Sequence, residues 1–304
     1  MCKNKPLVSV VIPTYNRADI IKRSIDSVLE QTYKNIEIVI VDDGSTDNTK
    51  EVVESYDDQR VRYVSYGTNR GANHARNTGI KKAKGTLIAF QDSDDVWHPE
   101  KIEKQVKAYL ESPDDHKVVY TGTRSRRVEG FYMPEDWVKP KEGYVFKPSL
   151  RGTFANMVTI LTEKECLEKI GYFDEELPRL QDWDLGIRLS KKYKFKFIDE
   201  PLVDTYSGAD SITSSHNSLA EALEIILKKH RHDLIREKDI FSCHHFWLAS
   251  TYISLGRWEK GIENIKKGQE LKPLSPITAL RLFSSLLGTN FYKKFRGLHR
   301  RIFV

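Results

Sequence analysis

Three carboxylates lie within four residues of one another in the stretch Gln91-Asp92-Ser93-Asp94-Asp95. The stretch directly follows a short apolar run at 87–90, so a buried strand would deliver all three to its carboxyl end. Clustered carboxylates repel one another unless a cation or hydrogen-bond donors neutralise them, and Mg²⁺ is often held by carboxylates together with substrate phosphates. The stretch therefore predicts a divalent-cation site that carries a phosphorylated substrate. A strand-to-helix turn capped by Asp has the same composition and stays open as the alternative.

Two further polar clusters also follow apolar runs. Pro13-Thr14-Tyr15-Asn16-Arg17 ends the run at 7–12, and Asp42-Asp43-Gly44-Ser45-Thr46-Asp47 ends the run at 36–41. Helical spacing of apolar residues follows each cluster. A short strand at 61–64 and a helix near 72–83 come next, which gives the order β-α-β-α-β-α-β up to the acidic stretch. This order predicts a parallel, doubly wound, Rossmann-like sheet. Ligands bind beyond the carboxyl ends of the strands in such sheets, so we expect the three clusters to converge in space.

The rest of this α/β body continues beyond the acidic stretch. The residues at 123–150 are basic and aromatic without a clear period, and we interpret them as an excursion or a flexible lobe. Residues that contact the acceptor are expected within 123–160. The patterns around it predict a helix near 100–111, a strand at 118–120, a strand and short helix within 157–170, and short strands at 195–198 and 202–206.

The pattern becomes purely helical after about residue 217. An amphipathic segment covers 219–234, and residues 246–273 resemble one tetratricopeptide-type helix pair, with a small residue, a Leu-Gly turn and a closing Pro. We therefore predict an α/β domain at 1–216 and a helical region at 217–304. That region either supports the domain or docks a partner.

Composition restricts the class of protein. The chain has 304 residues, of which 39% are hydrophobic and 30% charged, as in a folded globular protein. No apolar run is long enough to span a membrane, and no secretory signal pattern precedes the first strand. Cys2, Cys166 and Cys243 lie far apart, without metal or disulfide spacing. We therefore expect a cytoplasmic protein.

The basic character of the chain is confined to its last part. Residues 271–304 contain seven Lys or Arg and no Asp or Glu, whereas the net charge of the whole chain is +6. Aromatic and basic residues interleave at 291–303. Such a tail can lie on an anionic membrane surface, with about 1 kcal/mol from each basic residue, or form a solvated helix end. No recognition fold accompanies the charge, so nucleic-acid binding is not expected.

Five motifs in this order and spacing resemble those of the family 2 inverting glycosyltransferases of the GT-A fold, and the resemblance covers about 6–205. These motifs are Pro13–Arg17, Val41–Asp47, Asn69-Arg70-Gly71 with Ala75-Arg76-Asn77, Asp92–Asp95, and Gln181–Leu185. The resemblance implies a GT-A-type, mostly parallel sheet and a nucleotide-diphosphate sugar as donor. The helical C-terminal extension lies outside it.

The resemblance also implies where the donor nucleotide binds, which we expect to be UDP. Tyr15 would stack on the base, Asp43 would accept hydrogen bonds from the uracil or ribose, and Arg76 would contact the pyrophosphate. A capped helix entry, an Asx-turn and an exposed helical Arg are the respective structural alternatives. The nucleotide-binding set implied is Pro13, Thr14, Tyr15, Asn16, Arg17, Asp42, Asp43, Arg76, Asp92 and Ser93.

The acidic stretch corresponds to the D-x-D element of the family. The resemblance implies Asp94 as a direct ligand of Mn²⁺ or Mg²⁺, with Asp92 on the ribose or on a metal-bound water. His216 is a candidate further ligand because it follows the last body strand in a Ser/Thr-rich loop, although a plain loop histidine is the favoured interpretation there. Asp95 would orient the loop or touch the sugar.

The last motif supplies the general base. Inversion needs a carboxylate that takes the acceptor hydroxyl proton opposite the leaving group, and the resemblance implies Asp182. The family usually has Glu before this Asp, whereas this chain has Gln181, which we place with the acceptor or sugar. Trp183 would form the floor of the acceptor site or fill the core. Asp184 is interpreted as structural, with a salt bridge near a helix end.

Together these features predict an inverting glycosyltransferase. It would move a sugar from a nucleotide donor to a hydroxyl of a glycan or lipid-linked glycan in surface polysaccharide or glycoprotein assembly, in the cytoplasm or peripherally at the inner membrane face. The alternative is a catalytically inactive nucleotide-sugar-binding scaffold that docks partners through its helical C-terminus.

Overall fold

The computed structural model describes residues 5–125, 141–206 and 216–273. The chain divides into one compact unit formed by residues 1–176 and 181–211 and a second formed by residues 177–180 and 212–304. The basic tail at 274–304 and much of the predicted excursion at 123–150 lie outside the described residues.

The first unit alternates strands and helices, as the sequence predicts. Its elements are β1 (Val8–Thr14), α1 (Ile21–Leu29), β2 (Ile36–Asp42), α2 (Thr49–Glu54), β3 (Val61–Ser65), α3 (Ala72–Lys82), β4 (Leu87–Phe90), β5 (Val96–Trp97), α4 (Lys101–Glu111), β6 (His116–Ser125), α5 (Phe146–Arg151), a 3₁₀ turn (Met157–Thr159), β7 (Ile160–Glu163), α6 (Lys164–Lys169), α7 (Gln181–Ser190) and β8 (Lys194–Thr205).

Within the described residues, eight strands form one mixed sheet in the order β3-β2-β1-β4-β7-β6-β8-β5. The first four strands are parallel, with β1 between β2 and β4. β7 then pairs antiparallel with both β4 and β6, while β6 and β8 are parallel. The predicted α/β fold with a mostly parallel sheet is therefore confirmed. The separate strands expected at 195–198 and 202–206 are one continuous strand, β8, because a register shift against β6 accommodates Pro201.

Both faces of the central sheet are covered, which explains why its strands are almost continuously apolar. Side chains alternate between the faces of a strand. Val10 and Ile12 accordingly join one core with α1 and α4, whereas Val11 joins a second core with α3, α6 and α7. All three side chains are fully buried.

Helix α3 lies unusually close to the sheet because Gly79 has no side chain. A Cβ atom placed on Gly79 would lie 2.3 Å from Cγ1 of Val11 and 3.2 Å from Cγ2 of Val41. Those distances are too short for non-bonded carbon atoms. Gly79 therefore sets the depth of the helix that carries Arg76.

The described part of the second unit contains the helices α8 (His216–Lys229), α9 (Arg231–Leu234), α10 (Lys238–Ser254) and α11 (Trp258–Leu271). The predicted amphipathic segment at 219–234 is divided between α8 and α9 at His230. The predicted helix pair corresponds to α10 and α11, where Phe246 and Ala249 pack with Ile265. Among the described residues, no helix combines the length and the apolar content needed to span a bilayer.

Candidate active site

The three polar clusters of the sequence meet at one edge of the parallel part of the sheet. Thr14 and Asp42 are register partners at the ends of β1 and β2. The Gln91 amide continues the ladder from β4 by donating to the Val11 carbonyl at 3.1 Å. The predicted convergence of the clusters is therefore observed.

The turns after β1 and β2 are joined by side-chain hydrogen bonds centred on Asn16. The Asn16 amide donates to Ser45 Oγ at 2.8 Å, and the Thr46 amide donates to Asn16 Oδ1 at 2.8 Å. Asn16 has a φ of 50°, a backbone conformation that Asn tolerates better than most residues. The Arg17 amide donates to Thr49 Oγ1 at 2.9 Å. Tyr15 projects from this joined turn with 42% of its surface exposed, as a base-stacking role requires.

Asp43 is buried and surrounded by donors. It accepts hydrogen bonds from Tyr66 Oη at 2.6 Å and from the amides of Arg70 and Gly71 at 2.7 and 2.8 Å. Burial and the Asp43 carboxylate together raise the pKa of Tyr66, so its hydroxyl remains a donor. Asp43 thus holds the loop that enters α3.

The other residues predicted to bind nucleotide in these two turns are less accessible. Asp42 is 1% exposed, and its two oxygens accept from the Ser45 amide at 2.8 Å and from Tyr63 Oη at 2.6 Å. Its side chain shapes the turn through these two hydrogen bonds, and its contact with the nucleotide stays a prediction. Pro13 and Thr14 are buried at the end of β1. The more accessible residues of that motif are Tyr15, Asn16 and Arg17.

Arg76 reaches the acidic stretch from α3. It is 4% exposed, and its Nη2 donates to Asp92 Oδ1 at 2.8 Å. Its Nη1 lies 3.4 Å from Asn73 Oδ1, while its Nε is buried and has no hydrogen-bond partner within the described part of the chain. The alternative of an exposed helical Arg is therefore wrong. A buried guanidinium that retains an unsatisfied donor is suited to bind another anionic group.

Asp92, Asp94 and Asp95 present carboxylate oxygens within 4.8 Å of one another. Main-chain contacts hold this loop: Ser24 Oγ donates to the Asp92 carbonyl at 3.0 Å, and an Arg23 Nη donates to the Asp94 carbonyl. Oxygen donors in this number and spacing fit Mn²⁺ or Mg²⁺.

The members of the acidic loop differ in exposure. Asp95 is 4% exposed and accepts from the Tyr206 amide at 3.0 Å, which agrees with a role in orienting the loop. Ser93 is also nearly buried, at 8% exposure. Asp92 and Asp94 are partly exposed and are thus the more accessible of the three carboxylates.

Asp182 lies in the first turn of α7, where it accepts a hydrogen bond from the Met157 amide at 3.1 Å. Burial is the largest influence on this carboxyl and raises its pKa. The nearby charge of Arg76 lowers the pKa and that of Asp92 raises it. The charges of both members of the Arg76–Asp92 pair therefore influence the Asp182 carboxyl, and its role as the base stays a prediction.

The neighbours of Asp182 have distinct roles. Trp183 is 1% exposed, and its Nε1 donates to the Ser149 carbonyl at 2.7 Å. A buried ring cannot stack on an acceptor, so the acceptor role is wrong and the core-filling alternative holds. Asp184 is fully buried and forms a salt bridge with Arg188 at 2.7 Å, which confirms its structural role. Gln181 is partly exposed at the start of α7, and its contact with the acceptor stays a prediction.

The sequence suggested a loop position for His216, but the residue begins helix α8 in the second unit. Its role as a metal ligand stays a prediction. Sequence reasoning also missed several residues that build the site, notably Tyr66, Arg23 and the Met157 amide. Tyr66 directly follows β3, so the rule that ligands bind at carboxyl strand ends would have identified it. The other two contribute through tertiary contacts without a local sequence signal.

Comparisons with known proteins agree with this geometry. The family described as "Glycosyl transferase family 2" matches residues 9–168. The chain is 34% identical to a putative teichuronic acid biosynthesis glycosyltransferase, TuaG, of Bacillus subtilis, over 62% of this chain and 73% of that protein. It is 32% identical to an Escherichia coli UDP-Glc:alpha-D-GlcNAc-diphosphoundecaprenol beta-1,3-glucosyltransferase, WfaP, over 71% of this chain and 83% of that protein.

The length of the relatives varies. An uncharacterized glycosyltransferase of Rickettsia felis is 34% identical over 77% of this chain, but the chain spans only 40% of that protein.

Two solved structures share the fold. Staphylococcus aureus TarS 1-349 in complex with UDP-GlcNAc has a TM-score of 0.66 at 19% identity, over 97% of this chain and 92% of that one. A mannosyltransferase of Pyrobaculum calidifontis in complex with GDP-Man and Mn²⁺ has a TM-score of 0.63 at 19% identity, over 96% and 83%.

Proposed function

The chain belongs to glycosyl transferase family 2, and we propose that it moves a sugar, with inversion, from a UDP-sugar to a hydroxyl group of a glycan. The main support for the proposal is that the acidic cluster and the proposed base belong to one site. A three-carboxylate cluster with a buried Arg lies at the carboxyl ends of the parallel strands, within electrostatic range of Asp182.

The nucleotide would bind at the ends of β1 and β2. Exposed Tyr15 offers an aromatic face to the base. Oδ2 of Asp43 accepts from the Gly71 amide and retains a second lone pair for an N–H group of uracil. We propose uridine as the nucleoside because the name of the E. coli relative includes UDP-Glc and the ligand of the TarS complex is UDP-GlcNAc. The mannosyltransferase complex contains GDP-Man, so a guanosine donor is the comparison to test.

The diphosphate would lie between Arg76 and the acidic loop. Arg76 would donate to phosphate oxygens through its remaining N–H groups. Asp94 and Asp92 would hold a divalent cation, with Asp95 orienting their loop through Tyr206. When bound, such a cation neutralises negative charge that develops on the departing nucleotide.

Asp182 would act as the general base. The Met157 amide orients its carboxylate, which still has lone pairs available for the proton of the acceptor hydroxyl. Burial raises the pKa of Asp182 and thereby makes the carboxylate a stronger base than a solvated one. Attack from the side of Asp182, opposite the nucleotide, yields inversion at the anomeric carbon.

The acceptor would be a glycan or a lipid-linked glycan of a surface polysaccharide. Support comes from the names of the two bacterial relatives, which concern teichuronic acid biosynthesis and a diphosphoundecaprenol-linked sugar. Gln181 would contact this acceptor at the start of α7. A peripheral position at the inner membrane face, reached through the basic residues of 271–304, would bring a cytoplasmic enzyme to a lipid-linked acceptor.

A thermal-shift screen tests the donor assignment directly, because a ligand that binds the folded state raises the melting temperature. UDP, GDP, UDP-glucose, UDP-N-acetylglucosamine and GDP-mannose would be compared with and without Mn²⁺. The proposal expects the largest shift from a uridine compound together with Mn²⁺. A larger shift with GDP, or no shift with any nucleotide, would contradict it. Binding without turnover of any donor would instead favour the inactive scaffold.

A further inference from the structure

The motif Ala75-Arg76-Asn77 contains a residue that the proposed chemistry does not use. Asn77 is 4% exposed, and its side-chain amide pairs with the peptide group of Phe173. Its Nδ2 donates to the Phe173 carbonyl at 3.0 Å, and the Phe173 amide donates to its Oδ1 at 2.9 Å. A buried amide with both groups satisfied in this way fixes a loop against a helix. We name residues 170–175 the bridge segment.

Further side chains of α3 hold the same segment. Asn73 Nδ2 donates to the Asp174 carbonyl at 2.9 Å. Glu175 accepts from Asn77 Nδ2 at 2.8 Å and contacts His74 Nδ1 at 2.8 Å. Partial burial opposes ionisation of Glu175, but these two contacts outweigh it and lower the pKa, so the group is held as a carboxylate. Helix α3 therefore binds the bridge segment through three residues in the two turns that also contain Arg76.

Helix α7 holds the opposite end of the bridge segment. Arg188 Nη1 donates to the carbonyls of Ile170 and Tyr172 at 2.9 and 2.6 Å. The same guanidinium donates through Nε to the fully buried Asp184 at 2.8 Å. Asp184 lies two residues after Asp182, so Arg188 is bound to the same helical turn that contains the proposed base.

The middle of the bridge segment touches the donor side of the site. Phe173 lies edge-on to Phe90 with ring centroids 5.3 Å apart, and the Arg76 guanidinium lies 5.9 Å from the centre of the Phe173 ring. Gly171 and Tyr172 both have positive φ, at 84° and 63°. This conformation is costly for Tyr and persists only where surrounding contacts hold it. The segment is therefore a tight turn held between α3 and α7.

We propose that Asn77 is a positioning residue for transfer, which sets the separation between Asp182 and the Arg76–Asp92 pair through the bridge segment. The inference rests on the proposed function only in assigning the proton transfer to Asp182. A displacement of about 1 Å at a reacting group can cost on the order of 100-fold in rate. Loosening the bridge segment should therefore lower kcat. The donor KM should change less than kcat, because the contacts of Asp43 and Tyr15 do not involve the segment and only the Phe173 ring lies near Arg76.

The test exchanges the hydrogen-bond donor and the acceptor between positions 77 and 175. Asn77→Asp removes the donor to Phe173 and Glu175 and places two carboxylates together. It should lower kcat about 10- to 100-fold, with the donor KM within about 3-fold of wild type. The double variant Asn77→Asp/Glu175→Gln restores one donor–acceptor pair with the roles reversed and should recover part of kcat. Asn35→Asp is the matched control, because Asn35 is exposed and donates to the Lys5 carbonyl, remote from the site.

A second measurement needs no substrate and separates this inference from the proposed function. Hydrogen–deuterium exchange at the amides of residues 171–187 should accelerate in Asn77→Asp, recover in part in the double variant, and stay unchanged in Asn35→Asp. If Asn77→Asp does not fold, Glu175→Ala should show the same acceleration to a smaller degree, since Glu175 is partly exposed. Unchanged exchange in residues 181–187 would overturn the inference, as would a kcat within about 2-fold of wild type or no recovery in the double variant. Absence of transfer by the wild-type protein would instead count against the proposed function.

Discussion

Arg76 and Asp92 form a salt bridge at 2.8 Å between a guanidinium that is almost fully buried and a carboxylate that is partly exposed. The pair joins α3 to the acidic loop after β4, and therefore joins two motifs that are separated in sequence. Arg76 offsets part of the repulsion among the three carboxylates and leaves Asp92 accessible from the side of the proposed donor. The pair thus lies where the proposed cation site meets the proposed phosphate site.

We predict that Arg76→Lys weakens UDP binding by about 10-fold or more, because a charge-assisted hydrogen bond contributes roughly 1.5–3 kcal/mol and Lys cannot reproduce the planar fork. Isothermal titration calorimetry with UDP and Mn²⁺ measures the change. Arg60→Lys is the control, since Arg60 also pairs with a carboxylate, that of Asp58, but lies just before β3, at the end of the strand away from the carboxyl-end site. Equal UDP affinity for Arg76→Lys and wild type would remove Arg76 from the diphosphate site.

Asp94→Asn should abolish most of the additional thermal stabilisation that Mn²⁺ gives to the UDP complex. The substitution removes one of the three carboxylates proposed to lie around the cation, so Mn²⁺ should bind more weakly and stabilise the UDP complex less. Melting temperatures with UDP alone and with UDP plus Mn²⁺ give the difference to be compared. Asp57→Asn, which alters an exposed carboxylate just before β3, should behave as wild type. A full Mn²⁺ effect in Asp94→Asn would show that the cation is held elsewhere.

Asp182→Asn should stabilise the protein at neutral pH. The pKa of Asp182 is raised in the folded state by burial, so the folded protein favours the protonated carboxyl and is penalised once the group ionises. The stability associated with this group is complete below the unfolded pKa of about 3.9 and is lost as pH rises through the folded pKa. The advantage of the Asn variant should therefore be smallest near about pH 4 and grow as pH rises through the folded pKa towards neutral pH. Denaturant unfolding across this range measures it, and an advantage that shrinks with rising pH would be contrary to the account.

Gly79→Ala should destabilise the first unit by about 1–3 kcal/mol, because the new methyl group would overlap Val11 and force α3 away from the sheet. Urea unfolding gives the free-energy change. Gly186→Ala in α7 is the comparison, since nothing in the described part of the chain lies within 4 Å of the Cβ position there, and the substitution should be neutral or stabilising. Similar destabilisation of both variants would show that the close approach of α3 is not the cause.

Much of the fold follows from sequence patterns alone. The apolar runs before Pro13, Asp42 and Asp92 predict three parallel strands, and the known location of ligands in such sheets predicts that their polar ends converge. The structure has this arrangement. The helix pair in the second unit also follows from the tetratricopeptide-like pattern of the sequence, and α11 buries Gly261, Asn264 and Gly268 at helical intervals.

The side chains whose surroundings the sequence did not predict have one physical reason in common. Trp183 and Asp42 lie in motifs rich in functional residues, yet their side chains are buried. Local sequence does not say which side of a helix turn or strand end faces the core. The role of Asn77 likewise depends on Phe173, which is 96 residues away along the chain. Such pairings arise only when the sheet brings the two segments together.

The central claim is that Asp182 removes the acceptor proton during transfer from a nucleotide sugar held at the acidic loop. The most direct test follows transfer from a UDP-sugar by wild type and Asp182→Asn in the presence of Mn²⁺, with the anomeric configuration of the product read by NMR. The account predicts an inverted product, a rate lower by about 100- to 10,000-fold in the variant, and UDP affinity close to wild type. Equal transfer rates for the two proteins, or a product with retained configuration, would contradict it.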